Sequence, residues 1–273
     1  MPPSTPRPRV STTDLAAMKR DKRKIVMITA YDALFASLVD QAGVDVILVG
    51  DSVGPVLAGM SSTVPVTMNQ MVYHGRSVQR GARHALVVID LPFLSYQVSP
   101  RDAVRNAGRI LKRTAAGAVK LEGGRDFAPT VRALVTAGIP VMGHIGLTPQ
   151  SLNVLGGIHV HGRGDGAAER LIDDARSLEE AGAFAMVLEF ITADVARRVS
   201  EAVTVPTIGI GSGPHCDGQV LVLHDMLGLN EHFNAKFVKR YAELGATIRG
   251  AVSAYAEEVR TAAYPDEAHS HVG

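Results

Sequence analysis

Charged and polar side chains follow the apolar runs of this sequence at the points where the runs end. An apolar run without polar alternation is typical of a buried parallel strand, and the carboxyl ends of such strands form the edge at which α/β proteins build their sites. Each residue alone could equally cap a helix or pair with one neighbour. Their recurrence at successive run ends favours one shared site. These residues are Asp51, Ser52, Asp90, Lys120, Glu122, His144 and Glu189.

The chemistry of these residues indicates a divalent cation. Four carboxylates gathered at one edge of a sheet repel one another strongly unless a positive charge lies between them. Asp51, Asp90 and Glu122 offer only hard oxygen ligands, which suit Mg²⁺ and leave room for substrate and water. No set of cysteine and histidine residues argues for zinc. We therefore predict a Mg²⁺ site formed by these three carboxylates.

Lys120 and Glu122 are two residues apart, so on a strand both side chains point to the same side. In that arrangement Lys120 can meet an anionic substrate while Glu122 holds the metal, directly or through water. The two residues could instead form a structural salt bridge, as charged groups inside barrels also do. His144 also has two open roles: it could orient a ligand or help to move protons, or it could be structural.

Eight strand-like runs alternate with helical segments along the chain. Several of the helical segments end in Ala-Gly, and a glycine just past a helix supplies the left-handed cap before the next strand. This rhythm predicts a (β/α)8 TIM barrel, an α/β fold. The alternative is a doubly wound open sheet, but Tyr31-Asp32 follows the first run where its dinucleotide fingerprint needs glycines. The predicted strands are Ile25–Ala30, Val46–Val49, Ala85–Ile89, Ala118–Leu121, Ile139–Met142, Ala185–Leu188, Val205–Ile210 and Val220–Leu223.

The predicted organisation is a single barrel domain, residues 13–273, after a flexible Pro-rich tail of residues 1–12. Two insertions interrupt the alternation of strands and helices, both at the carboxyl ends of the strands, where such barrels carry their catalytic residues. Residues 55–80 look like a lid or a small β excursion, and residues 146–166 carry several glycines. Near the end, apolar residues at helical spacing predict an amphipathic C-terminal helix over Lys236–Ala262.

Composition and net charge limit the classes of partner that this protein is expected to have. The 273 residues are 46% apolar, enough for a large core, and the net charge of +1 does not favour nucleic acid or a membrane as main partner. No apolar run reaches the length of a membrane span, and the first residues lack the apolar segment of a secretory signal. The single cysteine, Cys216, fits a reducing compartment, so we expect a cytoplasmic protein in which it is an ordinary loop thiol.

A series of short motifs connects this chain to a known enzyme family. In order they are Ile28–Asp32, Leu48–Ser52, Ile89–Phe93, Val119–Gly124, Gly143–Ser151, Gly162–Asp165, Leu188–Glu189, Ile208–Gly211, Tyr264–Pro265 and Glu267–Ser270. On these motifs, from near Met18 to Ser270, the chain resembles the ketopantoate hydroxymethyltransferase (3-methyl-2-oxobutanoate hydroxymethyltransferase) family. So many motifs in one order are specific, whereas a lone Gly-x-Gly would not be.

The resemblance implies a (β/α)8 barrel that transfers a hydroxymethyl group from 5,10-methylenetetrahydrofolate to 3-methyl-2-oxobutanoate through a Mg²⁺-stabilised enolate. The product, 2-dehydropantoate, leads to pantothenate and coenzyme A. The resemblance also implies a homodecamer of two pentameric rings. By resemblance, the Mg²⁺ site consists of Asp51, Asp90 and Glu122, the ketoacid site of Asp51, Ser52, Asp90 and Lys120, and the catalytic base is Glu189.

Two residues depart from the family pattern, which often has Gln in place of His161 and Ala in place of Ser212. They concern loop contacts and folate binding and leave the site residues unchanged. The nearest enzyme alternative is a Mg²⁺-dependent lyase or phosphonomutase of the same barrel type, with the Gly209–Gly213 loop holding a phosphate. A non-catalytic protein that binds 2-oxo acids is disfavoured, because the expected base and metal ligands are all present.

Overall fold

Parallel strands close into a barrel in this protein. The structure, a computed structural model, describes residues 8–164 and 166–271. Each strand pairs with the next along the chain, and the eighth pairs with the first. The (β/α)8 prediction is therefore confirmed, and the open doubly wound sheet is wrong. The strands are β1 (Ile25–Thr29), β2 (Val46–Val49), β3 (Leu86–Asp90), β4 (Ala118–Lys120), β5 (Val141–Gly146), β6 (Ala185–Glu189), β7 (Thr207–Ile210) and β8 (Gly218–Leu221).

Helices alternate with the strands along the barrel unit, which ends at Val222. Several begin after a residue whose side chain accepts from a backbone N–H of the first turn, as Ser11, Thr67 and Ser99 do. These caps fix where each helix begins. The helices are α1 (Thr12–Arg20), α2 (Ala33–Gln41), α3 (Val53–Leu57), α4 (Met68–Gly81), α5 (Pro100–Thr114), α6 (Ala128–Thr136), α7 (Leu152–Leu155), α8 (Ala167–Glu180) and α9 (Ala193–Ala202), with 3₁₀ turns at Arg125–Phe127 and Pro149–Ser151.

One apolar cluster fills the barrel towards the amino ends of its strands. Leu15 and Met18 of α1 pack there with residues from the beginnings of the strands, among them Ile25, Val46 and Leu86. Helix α1 therefore covers this end of the barrel. Each Å² of apolar surface buried in this cluster stabilises the fold by roughly 25 cal/mol, and this stability supports the polar residues at the opposite end of the barrel.

The insertion at residues 55–80 contains the end of α3, a non-helical segment of residues 58–67 and most of α4 but no strand, which corrects the predicted β excursion. Its helix α4 begins at Met68, where Thr67 and Gln70 form a capping box. Strand β8 begins at Gly218, so the predicted strand Val220–Leu223 is displaced by two residues. A Cβ atom at Gly218 would lie 2.5 Å from the Ile25 carbonyl oxygen, so the strand needs a glycine that the search for apolar runs does not detect.

A second compact unit begins at Leu223 and contains α10 (Leu223–Met226), α11 (Leu244–Arg260) and a 3₁₀ turn at Glu267–His269. The predicted helix was therefore wrong over its first eight residues. Within this unit, Tyr241 N–H donates to the Met226 carbonyl at 2.8 Å, and Leu244 N–H donates to the Leu227 carbonyl at 2.9 Å. These backbone bonds with a distant segment replace the local bonds that a helix would make.

Some predictions fall on residues that the structure does not describe. Residues 1–7 of the predicted tail and Asp165 of the Gly162–Asp165 motif lie outside the described residues. Helix α1 begins at Thr12, at the predicted boundary between tail and barrel. None of the described helices is long and apolar enough to cross a membrane.

Candidate active site

The residues predicted at the strand ends meet around one cavity of about 120 Å³ at the carboxyl end of the barrel. The parallel register of β2 to β6 brings their ends to the same edge. A larger hollow of about 620 Å³ lies on α6 around Pro129 and Arg132, but its lining has no carboxylate or imidazole. A further hollow of about 340 Å³ has Asp126, His161 and Asp174 in its lining but none of the residues predicted at the strand ends, so the predicted chemistry belongs to the smallest of the three. Every predicted residue lines it: Asp51, Ser52, Asp90, Lys120, Glu122, His144 and Glu189.

Lys120 is held between a carboxylate and an imidazole. Asp90 and Lys120 are register partners on β3 and β4, and Lys120 Nζ lies 3.1 Å from Asp90 Oδ1. The same Nζ lies 3.1 Å from His144 Nδ1. The ion pair left open by the sequence thus forms with Asp90 and not with Glu122, as far as the structure describes the chain. Burial lowers the pKa of Lys120, but the three nearby carboxylates outweigh it and raise that pKa above its ordinary value, so the ammonium keeps its charge.

His144 connects this ammonium group to the carboxylate at the end of β6. An ammonium group can only donate, so the contact with Lys120 makes His144 Nδ1 an acceptor and leaves the ring proton on Nε2. His144 Nε2 lies 3.1 Å from Glu189 Oε2. Burial and Lys120 lower the pKa of His144, whereas the two carboxylates raise it and prevail, to about 9. A pKa of about 9 favours a second proton at neutral pH, and that proton would occupy Nδ1 and face Glu122 Oε1, 3.6 Å away, in place of the contact with Lys120. Nε2 carries a proton in either state.

The three buried carboxylates carry more negative charge than Lys120 balances. Burial and the neighbouring acids raise the pKa of Asp51 well above its ordinary value. Burial also raises the pKa of Asp90, although Lys120 and the Asp51 N–H, 3.0 Å from Asp90 Oδ2, act against it. Burial acts to raise the pKa of Glu122 too, but His144 and Lys120 overcome it and lower that pKa. Such a set is stabilised by an added cation.

Gln150 orients two of these carboxylates, a role that the sequence did not indicate. Its Nε2 donates to Asp51 Oδ2 at 2.8 Å, and its backbone N–H donates to Glu122 Oε2 at 3.0 Å. Tyr96 OH donates to Gln150 Oε1 at 2.9 Å, which fixes the amide in this orientation. Gln150 belongs to the Gly143–Ser151 motif, and this was the one signal in the sequence that could have marked it as a site residue, because a residue outside the strands shows no strand periodicity. One oxygen of each carboxylate is thereby held by a donor.

The donor set fits a hard divalent cation. The candidate ligand atoms are all carboxylate oxygens, and Asp90 Oδ1 is buried with no hydrogen bond to any described residue even though Lys120 Nζ lies 3.1 Å away. Within residues 8–164 and 166–271, no three acidic, histidine or cysteine side chains are placed so that together they could hold a metal ion. Mg²⁺ is usually held by one or two protein carboxylates and keeps water and substrate oxygens as further ligands, so an open arrangement is compatible with it.

The backbone after Glu189 is held in an unusual conformation from two sides. Phe190 has a φ of 52°, a left-handed value that costs a non-glycine residue about 1–2 kcal/mol. Its carbonyl accepts from the His161 N–H at 2.7 Å, and Ser212 Oγ donates to the Leu188 carbonyl at 2.7 Å. Both positions that depart from the family pattern therefore support the segment that carries Glu189, but only Ser212 does so through its side chain, since the contact of His161 is made by its backbone.

Comparison with known proteins shows similarity to one enzyme family along almost the whole chain. The family model described as ketopantoate hydroxymethyltransferase matches residues 9–267. The 3-methyl-2-oxobutanoate hydroxymethyltransferase of Moorella thermoacetica is 57% identical over 264 residues, which cover 97% of this chain and 98% of that one. The enzyme of the same name from Syntrophus aciditrophicus is 55% identical over 262 residues, 96% of each chain.

Among solved structures, the chain is similar to 2,3-dimethylmalate lyase, a member of the PEP mutase/isocitrate lyase superfamily. The TM-score is 0.61, with 93% of this chain and 89% of that chain covered, at 19% sequence identity. At that identity the likeness concerns the fold alone. It gives the alternative lyase or phosphonomutase activity no support beyond a shared type of barrel.

Proposed function

The chain belongs to the ketopantoate hydroxymethyltransferase family, and we propose that it transfers a hydroxymethyl group from 5,10-methylenetetrahydrofolate to 3-methyl-2-oxobutanoate, giving 2-dehydropantoate. Both substrates are small molecules. The observation that carries the proposal is the cavity in which Glu189 shares one space with three buried carboxylates and Lys120. Near full-length identity to enzymes of that name supports the same activity here.

The carboxylate of the ketoacid has two donors available. Lys120 Nζ has three N–H groups: one donates to His144 Nδ1, and a second faces Asp90 Oδ1 at 3.1 Å in an ion pair that lacks the geometry of a hydrogen bond. The third is available to the substrate carboxylate. Ser52 Oγ lies 2.8 Å from Tyr31 OH, a contact that orients the serine hydroxyl at the cavity wall.

The metal-binding role falls to Asp51, Asp90 and Glu122, whose oxygens would hold Mg²⁺. When bound, Mg²⁺ supplies a Lewis acid that polarises the 2-oxo group and makes the C3 proton more acidic. Gln150 keeps Asp51 and Glu122 in fixed orientations for this role. Their negative charge, in excess of what Lys120 balances, favours cation binding.

The inner wall of the cavity is apolar and suits a branched alkyl group. Val187, Ile210 and Val220 contribute to it. Val187 and Glu189 are two residues apart on β6, so their side chains point to the same side of the strand. A ketoacid whose isopropyl group rests on Val187 therefore presents its C3 atom to Glu189.

Glu189 removes the C3 proton as a general base. Its side chain is 18% exposed, against 3% for His144, so it lies nearer the cavity mouth. His144 Nε2 lies 3.1 Å from Glu189 Oε2, so the imidazole is the positioning residue for this carboxylate. Breaking the C3–H bond leaves an electron pair that forms the new bond to the one-carbon unit. A cavity of about 120 Å³ suits the ketoacid alone, so the folate must approach from the mouth.

The test is exchange of the C3 proton of 3-methyl-2-oxobutanoate in D₂O, followed by NMR. We expect exchange with Mg²⁺ in the absence of folate, its loss with EDTA, and formation of 2-dehydropantoate when methylenetetrahydrofolate is added. Binding of the ketoacid without exchange would instead indicate a non-catalytic protein. Cleavage of a C–C or C–P bond in place of transfer would indicate the lyase or phosphonomutase.

A further inference from the structure

Thr63 contributes a hydroxyl group to the cavity that the described protein does not use. The residue is 6% exposed and lines the cavity together with Asp51 and Lys120. Its Oγ1 atom is buried and has no hydrogen-bond partner among the described residues. Buried hydroxyl groups nearly always have a partner, because an unpaired one loses its bonds to water without replacement. An unpaired hydroxyl at the wall of a substrate cavity therefore indicates that the partner is the substrate.

Backbone packing, and not the hydroxyl, holds Thr63 in this place. Met60 N–H donates to the Gly54 carbonyl at 3.1 Å, and Val66 N–H donates to the Thr63 carbonyl at 3.1 Å. A Cβ atom at Gly54 would lie 2.7 Å from Val66 Cγ2 and 3.3 Å from the Ser62 carbonyl oxygen, so the segment lies directly against α3. Because these contacts fix the segment, the Thr63 hydroxyl is available for a ligand.

The size and polarity of the cavity decide which substrate Thr63 meets. A volume of about 120 Å³ suits a small acid and is well below the 300–1,000 Å³ typical of sites for larger ligands such as a folate. At neutral pH a 2-oxo acid offers only acceptors, and a hydroxyl can donate to them. Its carboxylate is the stronger acceptor, because a charged partner shortens and strengthens the hydrogen bond.

We propose that Thr63 Oγ1 donates a hydrogen bond to the carboxylate of the 2-oxo acid, which makes Thr63 a substrate-binding residue contributed by the insertion between α3 and α4. This inference rests on the proposed function. It agrees with the orientation argued above, in which the isopropyl group rests on Val187 and the carboxylate faces Lys120.

The test compares Thr63→Val, which keeps the shape and removes the hydroxyl, with Thr63→Ser, which keeps the hydroxyl. Calorimetric titration of the full chain with 3-methyl-2-oxobutanoate in the presence of Mg²⁺ should show Kd raised about tenfold to a hundredfold in Thr63→Val. Thr63→Ser should bind nearly as wild type. Without ligand, the melting temperature of Thr63→Val should not fall, since no hydrogen bond within the protein is removed.

A matched control uses the other buried hydroxyl without a described partner. Ser95 Oγ is buried and unpaired in the same way, but Ser95 does not line the cavity. Ser95→Ala should therefore leave the Kd of the ketoacid unchanged.

Two results would overturn the role of Thr63 alone. One is wild-type affinity in Thr63→Val. The other is a lowered melting temperature in Thr63→Val with no recovery of binding in Thr63→Ser, which would mean a structural role. If the wild-type protein itself does not bind the ketoacid, the proposed function fails, and this inference fails with it.

Discussion

The two ends of the barrel each carry a lysine paired with an aspartate, but the two pairs have different surroundings. At the amino end, Lys19 Nζ lies 2.9 Å from Asp217 Oδ2 and donates to the Ser200 and Val205 carbonyls, both at 2.9 Å. Its three N–H groups thus have three acceptors. At the carboxyl end, Lys120 pairs with Asp90 among further buried carboxylates.

The difference shows which end is complete without a ligand. At the amino end, Asp217 Oδ2 also accepts from Thr207 N–H at 2.9 Å and Thr207 Oγ1 at 3.0 Å, so each charge there has described partners. At the carboxyl end, Asp90 Oδ1 and Thr63 Oγ1 are buried without a hydrogen bond among the described residues. The amino end therefore contributes stability, and the carboxyl end keeps polar atoms for substrate and metal.

The largest effect should come from Glu189, whose role exists only at the carboxyl end. Glu189→Gln keeps the shape of the side chain but cannot accept the C3 proton. We expect C3 exchange, measured by NMR in D₂O, to fall by roughly a hundredfold or more, while the affinity for the ketoacid changes little. Exchange near the wild-type rate would transfer the role of base to another group, with His144 the first candidate.

Substitution of Lys120 tests whether its third N–H serves the substrate. In Lys120→Met the ketoacid loses a charged donor, so its KM should rise about tenfold to a hundredfold, while the KM of methylenetetrahydrofolate stays within a small factor. Steady-state kinetics with each substrate varied in turn makes the comparison. Equal increases in both KM values would assign Lys120 a structural role instead.

The matched substitution at the amino end should lower the stability of the protein and leave its activity unchanged. Lys19→Met leaves Asp217 and two carbonyl groups without their donor. Water can replace that donor only in part, because the Lys19 side chain is 15% exposed. We expect the free energy of unfolding, from urea denaturation, to fall by about 1–3 kcal/mol with unchanged kinetic constants. A loss of kcat in a fully stable Lys19→Met variant would remove the distinction between the two ends.

The site residues could be predicted because parallel strands bring their carboxyl ends to one edge. Asp51 and Glu189 could be predicted from the apolar run before each of them alone. The partner of Lys120 could not be predicted, since it depends on the register that places Asp90 beside it. Gln150 reaches the site from the 3₁₀ turn Pro149–Ser151, where no strand periodicity marks it.

The start of α11 was missed for a related reason. Residues 241 and 244 make their backbone bonds with residues 226 and 227, and helical spacing does not show bonds to a distant segment. The oligomeric state and the cellular location depend on surfaces and contexts that one chain does not display. The decamer therefore stays a prediction from the family resemblance, and the cytoplasmic location stays a prediction from the single cysteine.

The smallest effect concerns Cys216, a buried thiol at the amino end beside Asp217. Burial raises the pKa of the Cys216 thiol, with Asp217 adding to it and the hydroxyls of Ser200 and Thr207 acting against it. An unfolded cysteine loses its proton near pH 8.5. Between that pH and the higher folded pKa, the folded state holds the proton that the unfolded state has released. Stability must then fall as pH rises, by at most about 1.4 kcal/mol per pH unit.

Cys216→Ala removes this contribution, so the wild-type free energy of unfolding should decline faster than that of the variant as pH rises above about 8.5. Urea denaturation of both proteins at several pH values between about 7 and 10 measures the difference, and groups common to both cancel. Activity at neutral pH should be equal in the two proteins, because Cys216 does not line the cavity. Parallel pH profiles would mean that the thiol has the same pKa folded and unfolded. Lost activity in Cys216→Ala would mean that the amino end takes part in function, which its complete set of partners argues against.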